Sequence, residues 1–202
     1  MKFLKRMTGI ILACSFSIAL AAGDNSAPIP MLKTTANQVI AALKKDHLTL
    51  QKNPKLVYPI VEKILLPQVD TDRMAKMVLG RNVWTQITPT QREHFSSEFV
   101  RLVVNTYSSA LANYTDEEIR FMPLRDSLAK KRIQVSSQII RREGPPILVA
   151  YRLLNTKTGW KVYDLIVEGV SLIQSYQSQF RAEIANNGFD KMLANLHQHN
   201  RS

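Results

Sequence analysis

The chain has 202 residues, 45% hydrophobic and 21% charged, a balance that packs as a globular unit and excludes disorder beyond the ends. A formal charge of +11 favours an anionic partner, whether nucleic acid, anionic lipid or acidic protein, and leaves the fold open. The first segment narrows that choice. "MKFLKRMTGIILACSFSIALAAGD" sets Lys2, Lys5 and Arg6 before an apolar run from Met7 to about Ala22, with small residues at Ala19, Ala21 and Ala22. This is the layout of a cleavable secretory signal over residues 1–22, too short and wrongly flanked for a membrane span. Its removal lowers the charge of +11 by three, to +8. Export takes away nucleic acid as the reason for the charge. Cys14, the only cysteine, falls inside the signal. "ILAC" is a poor lipobox, and the apolar run continues past it to Leu20. The mature chain, residues 23–202, therefore has no thiol for a disulfide, a nucleophile or a zinc–thiolate site.

After a short leader, Met31, Leu32, Val39, Ile40, Leu43 and Leu48 recur at helical spacing from Pro30 to about Leu50. Asn53–Pro54 opens a second helix through "KLVYPIVEKILL", with Pro59 in an early turn or at a kink. Asp70 caps a third, "TDRMAKMVLG", which Gly80 ends. Thr88, Pro89 and Gln91 form a capping box ahead of a long helix to about Tyr114. On that helix Phe95, Phe99, Leu102, Val103, Thr106, Tyr107, Ala110 and Leu111 read as one broad apolar face. The period then changes. "EEIRFMP", "RIQVSSQIIRR", "ILVAYRLLN" and "GWKVYDLIVEG" alternate as strands, and the turns between them are short enough for an antiparallel meander. Helical spacing returns at Val170 and again after Gly188. The expected fold is α+β in one domain: helices over about 30–114, a sheet of about four antiparallel strands over about 117–168, and helices over about 170–199.

In the strands, Ile147, Val149, Tyr151 and Leu153 share a face, as do Trp160, Val162, Asp164 and Ile166. The helices from Pro89 and Val170 are the expected covers. An apolar face under helices packs either as a filled core or as a cavity for an apolar ligand, and pattern alone leaves both open.

Catalytic chemistry is sparse. No "GxSxG", "HExxH" or glycine-rich phosphate loop is present. His197 and His199 in "HQH" point to different faces of a helix, and His47 and His94 sit in charged helical surroundings, so no metal site is expected. Asp164 and Glu168 are the acids best placed for acid–base work, but no third group completes a mechanism. Lys130–Lys131–Arg132 and Arg141–Arg142 read as a solvated rim, or as a contact for anionic lipid headgroups or an acidic partner.

"GWKVYDLIVEGVSLIQSYQSQF" closely resembles the signature of the MlaC, or toluene-tolerance auxiliary, family of periplasmic phospholipid carriers. "LLPQVDTDRMAKMVLGRNVW", "TPTQREHFSSEF", "TYSSAL" and "NGFDKMLANL" resemble the family's segments in the same order, from about residue 32 to 197. One departure is Ser175-Tyr176-Gln177, where many members carry Asn-Tyr-Arg. The resemblance implies an NTF2-like sheet wrapped by the two sets of helices around an apolar lipid pocket. Phospholipid is then the cargo; no cofactor, metal or catalysis is implied. The location implied is the periplasm. The partners implied are an outer-membrane lipoprotein–porin complex and an inner-membrane ABC transporter complex with an MCE-type subunit. Carried over by position, Tyr107, Ile147, Val170 and Ser171 should line the pocket. Periodicity adds Val104, Leu111, Val149 and Tyr151. Gly169 reads as a hinge at the pocket's edge. Two other readings remain open: an enzyme on the same sheet using Asp164 or Glu168, and an adaptor with a filled core.

Overall fold

The computed structural model describes residues 27–114 and 116–201. The signal segment and Cys14 lie outside the described residues. Helix α1 (Pro28–Lys45) starts with proline in its first turn, and Asp46 separates it from α2 (His47–Lys52). A single 3₁₀ turn at Pro54–Leu56 leads into α3 (Val57–Ile64), so Pro59 falls in the first turn, where its missing N–H breaks no helical bond. Helix α4 (Thr71–Gln86) is capped by the Asp70 carboxylate, which accepts from the Arg73 N–H at 3.0 Å. Gly80, at φ 75°, ends its regular part as the sequence anticipates, but six more helical residues follow. Helix α5 (Pro89–Ala112) carries the full capping box of Thr88 and Gln91.

The sheet has five antiparallel strands in sequential order: β1 (Glu118–Phe121), β2 (Arg132–Ile140), β3 (Ile147–Thr156), β4 (Gly159–Val167) and β5 (Val170–Ser171). The fifth, two residues long, is one more than expected. Glu168 and Gly169 both have positive φ, 50° and 82°, as a two-residue turn between β4 and β5 requires. The Glu168 carboxylate also accepts from the Leu148 N–H, pinning the turn to β3. Gly169 thus sits in the turn of the β4–β5 hairpin. Helices α6 (Leu172–Asn187) and α7 (Phe189–Arg201) close the chain.

A β-bulge corrects the expected faces of β4. Arg152 pairs with Asp164 and Leu153 with Val162, leaving Tyr163 as the extra residue. Val162 and Leu165 therefore align with Leu153 and Tyr151 on one face, while Asp164 turns to the other.

Three apolar clusters hold the fold. Met31 and Leu32 of α1 pack on Ile133, Val135, Leu153, Trp160 and Val162 of the sheet. Val39 and Leu43 of α1 meet Val57 and Val61 of α3 and Val104 of α5. Helices α4 to α7 enclose Phe95, Phe99, Tyr176 and Phe180; Phe95 stacks on Phe99 and meets Phe180 edge-to-face at a centroid distance of 5.3 Å. The long α5 packs against α3, α4 and α7. Its apolar residues split between two clusters, so it is a helical spine. On the face that carries Val135 and Leu153 the sheet is covered by α1, while α6 and α4 pack against β4. Among the described residues no helix is long and apolar enough to cross a membrane.

Candidate functional site

Between α1 and the sheet lies a cavity of about 270 Å³. Leu32, Ala36, Val39, Ile40 and Leu43 of α1 form one wall. The opposite wall is the sheet face: Ile119, Ile139, Val149, Tyr151, Val162 and Leu165, a set that the bulge in β4 brings together. Leu65, Val69 and Gln68 close one side, and Leu111 and Tyr114, at the end of α5, close another.

Most polar groups in this lining are already engaged. The Thr35 hydroxyl donates to the Met31 carbonyl at 2.9 Å. The Tyr114 hydroxyl donates to the Glu117 carbonyl. The Tyr151 hydroxyl shares a 3.3 Å hydrogen bond with Ser137, and burial pushes its phenol above the ordinary range. What is left to meet a ligand is chiefly carbon, and this selects an apolar guest. Ala36, Ile40 and Ile119 also border a second, polar pocket with Lys33, Asn37, Glu117 and Glu118. The apolar cavity therefore abuts charged groups along the edge strand β1. Lys44 and Arg142 both reach the Asp116 carboxylate in the segment before that strand.

Of the residues singled out in the sequence, Leu111, Val149 and Tyr151 line this cavity. Val104 is buried one layer behind it, in the cluster that shares Val39 and Leu43 with the wall. Ile147 is half-buried at the far end of the same sheet face and is not part of the lining. Tyr107 lines no part of the cavity and is 36% exposed; partial burial of its ring, and then Tyr176, raise its phenol's pKa. Val170 is 57% exposed in β5.

Ser171 is buried but serves the backbone. It is the N-cap of α6, accepting from the Gln174 N–H, and its hydroxyl donates to Asp164 at 2.8 Å. Asp164 has no exposed surface; it also accepts from Arg152 at 3.1 Å and from the Ile173 N–H at 3.3 Å. Its carboxylate ties the sheet to the start of α6. With Glu168 committed to Leu148, both acids of the enzyme reading are held in structural bonds. The sequence did not mark α1 as the cavity wall. Its apolar stripe was legible, but a covering helix and a lining helix carry the same stripe.

The family model described as MlaC protein matches residues 33–198. A toluene tolerance protein, ttg2D, of Pseudomonas putida is 27% identical over 181 residues, covering 90% of this chain and 83% of the relative. The MlaC binding protein of the intermembrane phospholipid transport system of Haemophilus influenzae is 25% identical over 187 residues, covering 91% and 87%. A solved phospholipid-binding protein from Ralstonia solanacearum, in complex with a phospholipid, superposes with a TM-score of 0.79 at 29% identity, over 85% of this chain and 96% of that one.

Proposed function

Since the chain belongs to the MlaC family, we propose that it is a periplasmic carrier that holds phospholipid acyl chains in the cavity between α1 and the sheet and shuttles them between membranes. The observation that carries this reading is the carbon-lined cavity beside a charged mouth. The relatives named for phospholipid transport and phospholipid binding support it. In this reading the cargo is taken from and given to an outer-membrane lipoprotein–porin complex and an inner-membrane ABC transporter complex with an MCE-type subunit. The transfers maintain the lipid asymmetry of the outer membrane.

The energetics suit a binding protein without catalytic groups. Each CH₂ left in water costs about 0.8 kcal/mol, so two acyl chains of ~30 carbons cost on the order of 20 kcal/mol. A dry apolar cavity offsets that cost as a bilayer does, so movement between the two is close to balanced and is driven elsewhere. The cavity of about 270 Å³ lies just under the usual range of about 300–1,000 Å³ for ligand sites. Two full acyl chains therefore require the walls to part, with the headgroup at the mouth by Lys33 and Asn37.

The test is mass spectrometry of lipid extracted from the purified mature protein, followed by transfer of a fluorescent phospholipid between vesicles. Phospholipid near one per chain, and transfer that needs the protein, are expected. A folded protein that copurifies with no lipid and accepts none from vesicles would leave a filled core as the better account. Turnover of a lipid or ester, lost in Asp164→Asn, would move the enzyme reading ahead.

A further inference from the structure

Far from the cavity, where α5 and α7 cross, three metal-ligating side chains converge. His94 and Glu98 are four residues apart on α5 and so share a face. His197 comes from α7, and one ligand atom from each of the three lies within 4.8 Å of the others. The Glu98 Oε1 atom is the centre of the group, at 2.7 Å from His197 Nδ1 and 3.8 Å from His94 Nε2.

The carboxylate is held from behind. The Asn200 amide donates to the Glu98 carbonyl at 2.9 Å and to Oε2 at 2.6 Å, which leaves Oε1 for the two imidazoles. Asn200 is buried, and its own Oδ1 has no partner, so the amide is committed to orienting Glu98. A hydrogen-bonded carboxylate beside two imidazoles is how outer groups orient the ligands of a metal. The two histidine side chains are 49% and 43% exposed, which leaves solvent access for an ion and room for a water ligand.

We propose that His94 Nε2, Glu98 Oε1 and His197 Nδ1 form a site for a divalent transition metal, zinc(II) above all, that fastens the C-terminal helix to α5. Two imidazoles and one carboxylate suit zinc, with copper(II) and nickel(II) as competitors. Bonds of about 2.0–2.1 Å in a tetrahedron set neighbouring donors roughly 3.3 Å apart. The 2.7 Å contact must open and the 3.8 Å contact close, each by well under an ångström, and the two imidazole nitrogens, within 4.8 Å of each other, close by up to about 1.5 Å, which rotation of half-exposed side chains supplies. The ion replaces the His197–Glu98 hydrogen bond. From His94 to Leu111, which lines the cavity, α5 runs about 25 Å, so the site belongs to the helical body and not to the cavity. The sequence hides it because the two histidines are brought together only by the packing of α7 on α5.

The experiment is calorimetric titration of zinc(II) into the untagged, chelator-treated mature protein, with thermal denaturation alongside. One zinc per chain in the micromolar range or tighter, with a rise in Tm, is expected. His94→Ala and His197→Ala should each weaken binding at least tenfold and abolish the rise, while His47→Ala changes neither. Absence of one-to-one binding, or equal affinity in His94→Ala, overturns the proposal and leaves the His197–Glu98 bond as the whole tie. Neither histidine belongs to the three apolar clusters, and far-ultraviolet circular dichroism checks the folding of both variants before the titration.

Discussion

Replacing Ala36 with phenylalanine separates a standing void from a filled core. Ala36 is half-buried on α1 and borders both the apolar cavity and its polar mouth. The substitution adds six ring carbons to a space of about 270 Å³. In the lipid-free protein the ring fills part of the void. Full burial of a phenylalanine is worth about 1.5–3 kcal/mol, and phenylalanine is about half a kcal/mol worse than alanine in a helix. A net gain of about 1 kcal/mol is expected, or at least no loss. With lipid present the sign reverses. Six displaced methylenes at about 0.8 kcal/mol each cost about 5 kcal/mol of binding, three powers of ten or more in affinity. Urea denaturation of delipidated protein gives the first quantity, and lipid extracted per chain gives the second. Retention of lipid near one per chain would refute the placement of the acyl chains. A loss of more than about 2 kcal/mol in the lipid-free protein would mean that the side chain meets packed atoms, not space.

Three further outcomes follow from the same geometry. Val149→Glu sets a carboxylate against a carbon wall and should abolish lipid occupancy, whereas Ile147→Glu, at the half-exposed end of the same face, should leave it within a factor of a few; extraction from the two variants compares them directly. Asp164→Ala leaves Arg152, Ser171 and the start of α6 without their acceptor and should cost about 2–4 kcal/mol in urea denaturation, with little change in the affinity of whatever protein still folds. Burial raises the folded pKa of Tyr151 above the ordinary value of about 10, so its neutral phenol favours the fold below that pH, and the contribution is lost as the pH rises from there through the folded value. Stability measured from pH 8 to 11 should therefore fall less steeply in Tyr151→Phe; identical slopes would show that Tyr151 takes no part in the decline.

The elements were legible because their signals are local. The capping box of Thr88 and Gln91, the prolines at helix starts and the alternation of β3 all act within a few residues, and each element lies close to where those signals place it. Two features were hidden, for different reasons. The bulge at Tyr163 depends on pairing with β3, so a strict two-residue period put Asp164 on the same face as Val162 when it belongs with Arg152. The cover of the sheet was assigned to α5 and α6 because an apolar stripe shows that a helix packs, not what it packs on. In fact Phe99 and Val104 belong to different clusters, while α1, with a shorter stripe, faces the sheet. Leu111, Val149 and Tyr151 were recoverable as lining residues because each sits where its element's regular period holds. Ser171 was not, because an N-cap serine and a lining serine look alike until Asp164 is brought beside it.

Hollow and filled also differ in energy, and the difference bears on exchange. Each Å³ of enclosed, unfilled space lowers the stability of the lipid-free state by about 24 cal/mol relative to a packed core. An acyl chain that occupies the space regains that amount on top of its own release from water. Parting the walls for a second chain works the other way, since it separates α1 residues such as Val39 and Leu43 from their neighbours in α3 and α5. The two effects are opposite in sign. A carrier that must release what it binds needs such a balance, because a preformed cavity large enough for the whole lipid would hold it without opposing strain. A small cavity beside a charged mouth is therefore better suited to exchange than to storage.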